Sequence, residues 1–330
     1  MANPMNIQIV APAGAGLRSG NRHTAQRWRD FLRGAGHRVT VASKWDGANS
    51  DMLIALHARK SSASVEHFHA AHPQRPLVVV LTGTDLYRDI RTHASARRSM
   101  ALATRLVVLQ EDGRRVLPRS LHAKTSVIYQ SAATEIRHHA PAHRFRIAVV
   151  GHLRAEKDPF RTVMALAHLP PGNDIEIHQL GEALVPEMAK AARDWMRREP
   201  RYHWLGSRPH AETLRRMAAC QMLVVSSVME GGANVICEAG RIGMPVLASR
   251  ISGNVGMLGA EYPGYYRVGD EKALARLIGR AAGDRDYLRA SKRAVLARRA
   301  LFAPANERRG VLQLVDMLRD RQPARHRRRS

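Results

Sequence analysis

Two glutamates, Glu230 and Glu238, bracket the segment EGGANVICE in a setting that gives both of them chemistry. The apolar run QMLVVSS at 221–227 reads as a strand before them, and MPVLAS at 244–249 reads as a strand after them. Glu230 falls in the loop, where Gly231 and Gly232 let the backbone turn tightly and approach a ligand. A helix is expected to start near Ala233, Asn234 and Val235, which puts Glu238 about six residues into it, roughly 9 Å along its axis. The helix N-terminus offers unpaired N–H groups and the positive end of a dipole, which suit a diphosphate. Each carboxylate accepts two hydrogen bonds and so suits a diol, one on a transferred sugar and the other on a ribose. The bland alternative makes Glu230 a helix cap and Glu238 a surface residue.

A second pair lies earlier, where the strand FRIAVVG at 145–151 runs into HLRAEKDPF. Arg154 and Lys157 sit three apart there, either as a solvated helix start or as cations that would neutralise an anionic group leaving the site. His152 lies in the same loop. No metal is expected to share that task. The one D-x-D in the chain, Asp284-Arg285-Asp286, lies in a polar stretch between helical segments and reads as a helix cap. His57, His122 and His178 show no shared ligand spacing with one another and read as surface or packing residues.

These residues need a scaffold, and 330 residues suffice for two domains with a core each. β-rich runs alternate with amphipathic stretches throughout, the α/β pattern of parallel sheets covered by helices. The first half has strands at 6–11, 38–42, 51–56, 77–82, 105–109 and 124–129. The polar stretch RHHAPAHR at 137–144 then reads as a linker. Strands resume at 145–151, 174–181, 202–206, 221–227 and 244–249. We therefore expect an N-terminal Rossmann-like domain over 1–140 and a second over 141–304. A final amphipathic helix at 305–320 should pack back on the first. Doubly wound sheets carry ligands at the carboxyl ends of their strands, so two such domains would meet across a common cleft. Closure about the linker would join the half-sites.

The net charge of +25 raises a polyanion partner, but 46 of the 53 basic residues are arginines scattered along the chain. The dense cluster is RQPARHRRRS at 321–330, expected to be a disordered basic tail. With 5% aromatic residues and no reader motif, a nucleic-acid-binding protein is the remote alternative. Cys220 and Cys237 have neither zinc-ligand nor disulfide spacing. No apolar run approaches the ~20 residues of a membrane span. With no leader-like start, a cytoplasmic protein is expected.

The first strand leads into APAGAGLRSGNRHTAQRWRDFL, a glycine-bearing loop before an amphipathic helix. Its spacing is not G-x-G-x-x-G, and no acidic residue suits a dinucleotide ribose further on, which excludes an NAD site. Gly16, Gly20, Arg18, Ser19, Asn21, Arg22 and His23 would instead favour a small, strongly anionic ligand, with a plain β-to-α turn as the bland alternative. Asp85 and His23 are available as a base for a hydroxyl acceptor, and Asp85 reads equally as a turn residue.

The second half resembles the GT-B glycosyltransferases of the family-4 type, whose E-x7-E pattern precedes G-x-P-V. Here those positions are Glu230, Glu238, Gly243, Pro245 and Val246. The resemblance covers most of 145–320 and implies two Rossmann-like domains. It implies that Arg154 and Lys157 hold the donor diphosphate. Trp204, Leu205, Gly206 and Arg208, in the matching segment HWLGSRPH, would lie near the nucleobase. Four first-domain and loop segments narrow it: SGNRHTAQRW at 19–28, LTGTDLYRDI at 81–90, VIYQSA at 127–132 and SGNVGMLG at 252–259. They are similar to the selenosugar synthases of selenoneine biosynthesis. That resemblance implies a UDP-sugar donor, UDP-N-acetylglucosamine or UDP-glucose, and selenophosphate as the acceptor, with Thr84, Asp85 and Gln130 joining the glycine loop around it. The product would be a 1-selenosugar. Selenophosphate is already an anionic nucleophile and needs no strong base. The alternative within the family is transfer to a hydroxyl or thiol acceptor.

Overall fold

MLIAL at 52–56 and LVVVL at 77–81 are apolar at every position, as strands covered on both faces must be, and each of these residues is buried. They lie at the centre of the first of two parallel sheets in the computed structural model, which describes residues 4–12, 20–141 and 144–319. The chain divides into two compact units, Met1–Gln130 with Pro304–Ser330, and Ser131–Ala303.

In the first unit, β1 (Asn6–Val10), α1 (Gly20–Arg33), β2 (Arg38–Ala42), β3 (Met52–Leu56), α2 (Ser62–Ala71) and β4 (Leu77–Leu81) follow one another. After a π-helical turn at Asp85–Asp89 come α3 (Ile90–Thr92), α4 (Ala94–Leu102), β5 (Arg105–Val108), α5 (Glu111–Val116) and β6 (Thr125–Val127). The sheet order is β2-β1-β3-β4-β5-β6, so the winding reverses between β1 and β3. Trp28 and Leu32 of α1 are fully buried in the core on one face, while Phe68 of α2 packs on the other.

The second unit holds β7 (Phe145–Val150), α6 (Arg161–Leu166), β8 (Ile175–Leu180), α7 (Pro186–Arg198), β9 (Tyr202–Trp204), α8 (His210–Ala218) and β10 (Met222–Val225). It continues with α9 (Asn234–Ile242), β11 (Val246–Ser249), α10 (Ser252–Leu258), β12 (Tyr265–Tyr266), α11 (Glu271–Gly283) and α12 (Arg285–Ala297). The order is β12-β11-β10-β7-β8-β9, which is the 3-2-1-4-5-6 winding of a dinucleotide-type sheet, reversing between β7 and β10. β12 escapes the sequence pattern because two residues carry no periodicity. The chain then returns to the first unit as α13 (Pro304–Arg319). Val311, Leu314, Val315 and Leu318 of α13 are buried in the core beside Trp28. The buried Glu307 accepts 2.6 and 3.0 Å hydrogen bonds from Arg27 and a 2.8 Å bond from the Trp28 indole. These interactions fasten α13 to α1.

The boundary falls at Ser131, not after residue 140, and the stretch expected as a linker is anchored. The His138 and His139 amides donate to Ile242 and Ala218, and the His138 ring meets the Cys220 carbonyl at 2.8 Å. At His138 and His139 the polar residues stand on a backbone hydrogen-bonded within the second unit. The basic tail at 321–330 lies outside the described residues, as do Gly16, Arg18 and Ser19.

Candidate functional site

Ligands of doubly wound sheets bind at the carboxyl ends of the strands flanking the winding reversal. In the second unit those strands are β7 and β10. The loop after β7 carries Lys157, and the loop after β10 carries Glu230, so the topology brings 73 residues of sequence separation to one place. Lys157 Nζ donates to Glu230 Oε1, which also accepts a 2.6 Å bond from Ser227 Oγ. Glu230 is buried, and the Lys157 side chain keeps about a fifth of its surface exposed.

The Lys157 loop is pinned from below. Ser226 Oγ donates to the carbonyls of Lys157 and Asp158 at 3.0 and 2.8 Å, and the Val228 amide donates to Glu156. Asp158 closes the short 3-10 turn Ala155–Lys157 in a left-handed conformation. Arg154 precedes this turn and is exposed. His152, half-buried, stands between β7 and Arg154. On the other side of Glu230, Ser249 Oγ donates to the Ser227 carbonyl at 2.5 Å, and the buried Asn254 donates to Ser249. At Gly253 a Cβ would stand 2.0 Å from the Glu230 carbonyl oxygen, so α10 reaches the glutamate only because this position is glycine.

Gly231 and Gly232 lead to Ala233, whose extended backbone makes it the N-cap residue of α9, with Asn234 and Val235 opening the helix. Glu238 follows one turn later. Its side chain is 13% exposed, and Oε1 lies 2.8 Å from Nε2 of the exposed His210 at the start of α8. The segment assigned to the nucleobase continues from β9. The Leu205 amide donates to Gln179, the Gly206 carbonyl accepts from Gly181, and the Trp204 indole donates 2.9 Å to the Gly181 carbonyl. Arg208 is exposed and lies 3.9 Å from Glu212. Gly181 itself packs so closely on the β7 loop that a Cβ would meet the Gly151 oxygen at 1.9 Å. The ends of β7, β8 and β9 are thus held together at backbone contact.

In the first unit, Gly20, Asn21 and His23 form the opening turn of α1, with Asn21 half-buried and His23 exposed. Gln130 Nε2 lies 2.5 Å from Thr24 Oγ1 in the same turn. Thr84 and Asp85 stand after β4. Asp85 is completely buried, and its carboxylate accepts from three backbone amides, Thr82, Gly83 and Ala58, at 2.8–2.9 Å. Of the two readings open for Asp85, the geometry is that of a turn-forming residue. Asp284 likewise caps α12, accepting from Asp286 and Tyr287.

A family model, "Glycosyl transferases group 1", matches residues 133–299, just over half of the chain. The chain belongs to this family. Among solved structures it is similar in fold to HepE of Anabaena, determined with UDP and glucose. The two are 18% identical, with a TM-score of 0.75 over 95% of this chain and 100% of that one. Sucrose-phosphate synthase of Thermosynechococcus elongatus is 15% identical, with a TM-score of 0.76 over 95% and 98%. A glycosyltransferase of Rickettsia africae is 12% identical, with a TM-score of 0.70 over 97% and 100%. With them the chain shares the two-domain GT-B architecture of Rossmann-like α/β units.

The group 1 match lies within the second unit, so membership bears on the Glu230–Lys157 side and leaves the first unit's chemistry to its own residues. Sequence reasoning missed the serines. Ser226 and Ser227 are unremarkable until the fold shows that one fastens the Lys157 loop and the other Glu230. It also missed His210, and it dismissed His178, whose ring lies across the strands from His203 with Glu176 adjacent. Ligand-capable atoms of these three lie within 4.8 Å of one another. Glu176 is already held by Arg144 and Arg146 at 2.9 and 3.1 Å, an arrangement that repels a cation. No helix of the described residues is long and apolar enough to cross a membrane.

Proposed function

We propose that this group 1 glycosyltransferase is a selenosugar synthase, joining the sugar of UDP-N-acetylglucosamine or UDP-glucose to selenium from selenophosphate. The observation that carries the reading is the set of Glu230, Lys157 and the α9 N-terminus at the winding reversal of the second sheet. A diphosphate set against the N-terminus of α9 gains its amide dipoles and the Lys157 ammonium. Arg154, exposed beside it, adds a second cation as negative charge develops on the leaving group. Glu230 then accepts from sugar hydroxyls and Glu238 from the ribose. That HepE was solved with UDP and glucose supports a nucleoside-diphosphate donor.

For the acceptor, the support is the first-unit sequence and the state of Asp85. A carboxylate engaged by three amides is not positioned to deprotonate a hydroxyl, whereas selenophosphate brings its own negative charge. Selenium attacks C1 of the sugar as the C1–O bond to the diphosphate breaks, and UDP departs with the electron pair. Water then cleaves the Se–P bond, giving phosphate and the 1-selenosugar. UDP-sugar and selenophosphate are both substrates here, and the protein contributes no cofactor.

The test is incubation of the purified protein with each UDP-sugar and selenophosphate, with products read by mass spectrometry. A selenium-isotope pattern on a sugar selenol or its diselenide, with UDP released in step, is expected. UDP release with a hydroxyl or thiol acceptor and none with selenophosphate would overturn the acceptor assignment.

A further inference from the structure

The first sheet has its own winding reversal, between β1 and β3, and the residue that follows β3 is unusual. His57 is buried with φ of +74°, a left-handed conformation that side chains disfavour. It stands at the centre of a group drawn from the ends of β3 and β4. Its Nε2 lies 2.9 Å from Thr84 Oγ1, and both Asp85 and Asp89 approach its ring at 4.0 Å. The Lys60 amide donates to His57 Nδ1 at 3.3 Å, which puts the ring proton on Nε2 and makes Thr84 the acceptor of that bond. The Thr84 hydroxyl hydrogen is therefore available for something else. Burial lowers the His57 pKa despite the two carboxylates, in keeping with the neutral ring that this hydrogen bond requires.

The carboxylates of the group are already engaged. Asp85 is taken up by backbone amides, and the fully buried Asp89 faces two guanidiniums, Arg59 at 2.8 Å and Arg88 at 3.1 Å. The Arg59–Asp89 contact is an ion pair without the alignment of a hydrogen bond, so Arg59 Nε and Asp89 Oδ2, both buried, are held by charge alone. Arg59 also meets His93 at 3.1 Å. What the group presents outward is positive: the Arg59 side chain is 33% exposed, Arg88 is 45% exposed, and Lys60 and Arg91 are exposed beside them. A buried acid that orients two half-exposed arginines next to a hydroxyl donor is a preorganised receptor for an oxyanion.

We propose that the ends of β3 and β4 bind a phosphoryl-type oxyanion through Arg59, Arg88 and the Thr84 hydroxyl, with Asp89 and His57 as positioning residues. Its identification with the phosphoryl end of the acceptor rests on the proposed function. The binding of an oxyanion does not. Under this reading the anion is held by side chains on the ends of two central strands.

Calorimetric titration of the full chain with inorganic phosphate, and separately with UDP, tests it. Phosphate should bind the wild type at millimolar concentration or tighter. Arg59→Gln and Arg88→Gln should each weaken phosphate ~10-fold or more, while UDP affinity stays unchanged. Arg289→Gln, in α12 of the second unit, should alter neither. Should Arg59→Gln lose structure by circular dichroism, Arg88→Gln carries the test, since Arg88 is exposed. Wild-type phosphate affinity in a folded Arg88→Gln, or no phosphate binding to the wild type, overturns the proposal. Phosphate binding without UDP binding would instead uphold this site and count against the donor reading.

Discussion

Glu230 and Glu238 are held differently, and under the proposed function that difference predicts different measurable roles. Glu230 is buried and bound by Lys157 and Ser227, so it is fixed in place before any sugar arrives. Glu238 meets the exposed His210 near the surface. Glu238→Ala should therefore weaken UDP binding by ~10-fold or more, the range for a charged hydrogen-bonding partner. Glu230→Ala should lower turnover with UDP affinity retained, and calorimetry beside steady-state kinetics separates the two. Equal losses of UDP affinity in both variants would contradict the division. Lys157→Ala should cost roughly 10² or more in kcat, by analogy with the loss of other oxyanion stabilisers. Ser227→Ala, which leaves Lys157 in place, should cost less than either charged residue, because it removes one neutral donor from Glu230.

Elements explain why part of this was legible in the sequence and part was not. The central strands β3, β4 and β10 were readable because each is a continuous apolar run, and the E-x7-E segment because its glycines and helix start are contiguous. The Arg59–Asp89 group was not, since it joins residues after β3 to residues in a π-helical turn after β4. Periodicity does not announce such a turn, and only the pairing of β3 with β4 brings the two ends together. His178 and His203 were separated for the same reason: they are register partners on β8 and β9. The α13 stripe was readable, but its fastening was not. Glu307 is buried against Arg27 and Trp28 from the far end of the sequence. Glu307→Ala leaves a guanidinium and an indole N–H without their shared acceptor. It should lower unfolding free energy by about 3 kcal/mol, in the range for breaking a buried pair, as measured by chemical denaturation. A loss below about 1 kcal/mol would show that the apolar stripe alone holds the helix.

Across the whole molecule, protonation behaviour links the two units through one kind of residue. His37 and His57 in the first unit, and His138 and His178 in the second, all have pKa values lowered from the ordinary 6.5, with burial the largest cause in each case. Above pH 6.5 both the folded and the unfolded chains hold these rings neutral, and the shifts cost nothing. Below it the unfolded chain gains protons that the folded chain resists, so stability falls as pH drops from 6.5 toward each folded pKa. The carboxylate shifts act lower: Glu199, held below the usual range by its hydrogen bonds from Arg201, and Glu176, where burial pushes upward but Arg146 and Arg144 together outweigh it, contribute stability that is lost only as pH falls below their unfolded values near 4.5. Between pH 6.5 and 5 the histidines therefore set the slope. Chemical denaturation at pH 7.5 and 5.5 should show both units losing stability over that interval. His138→Asn with His178→Asn should flatten the loss in the second unit while leaving that of the first. A stability that is level from pH 7.5 to 5.5, or that rises, would mean that the folded chain takes up these protons as readily as the unfolded one, which the burial of the rings opposes.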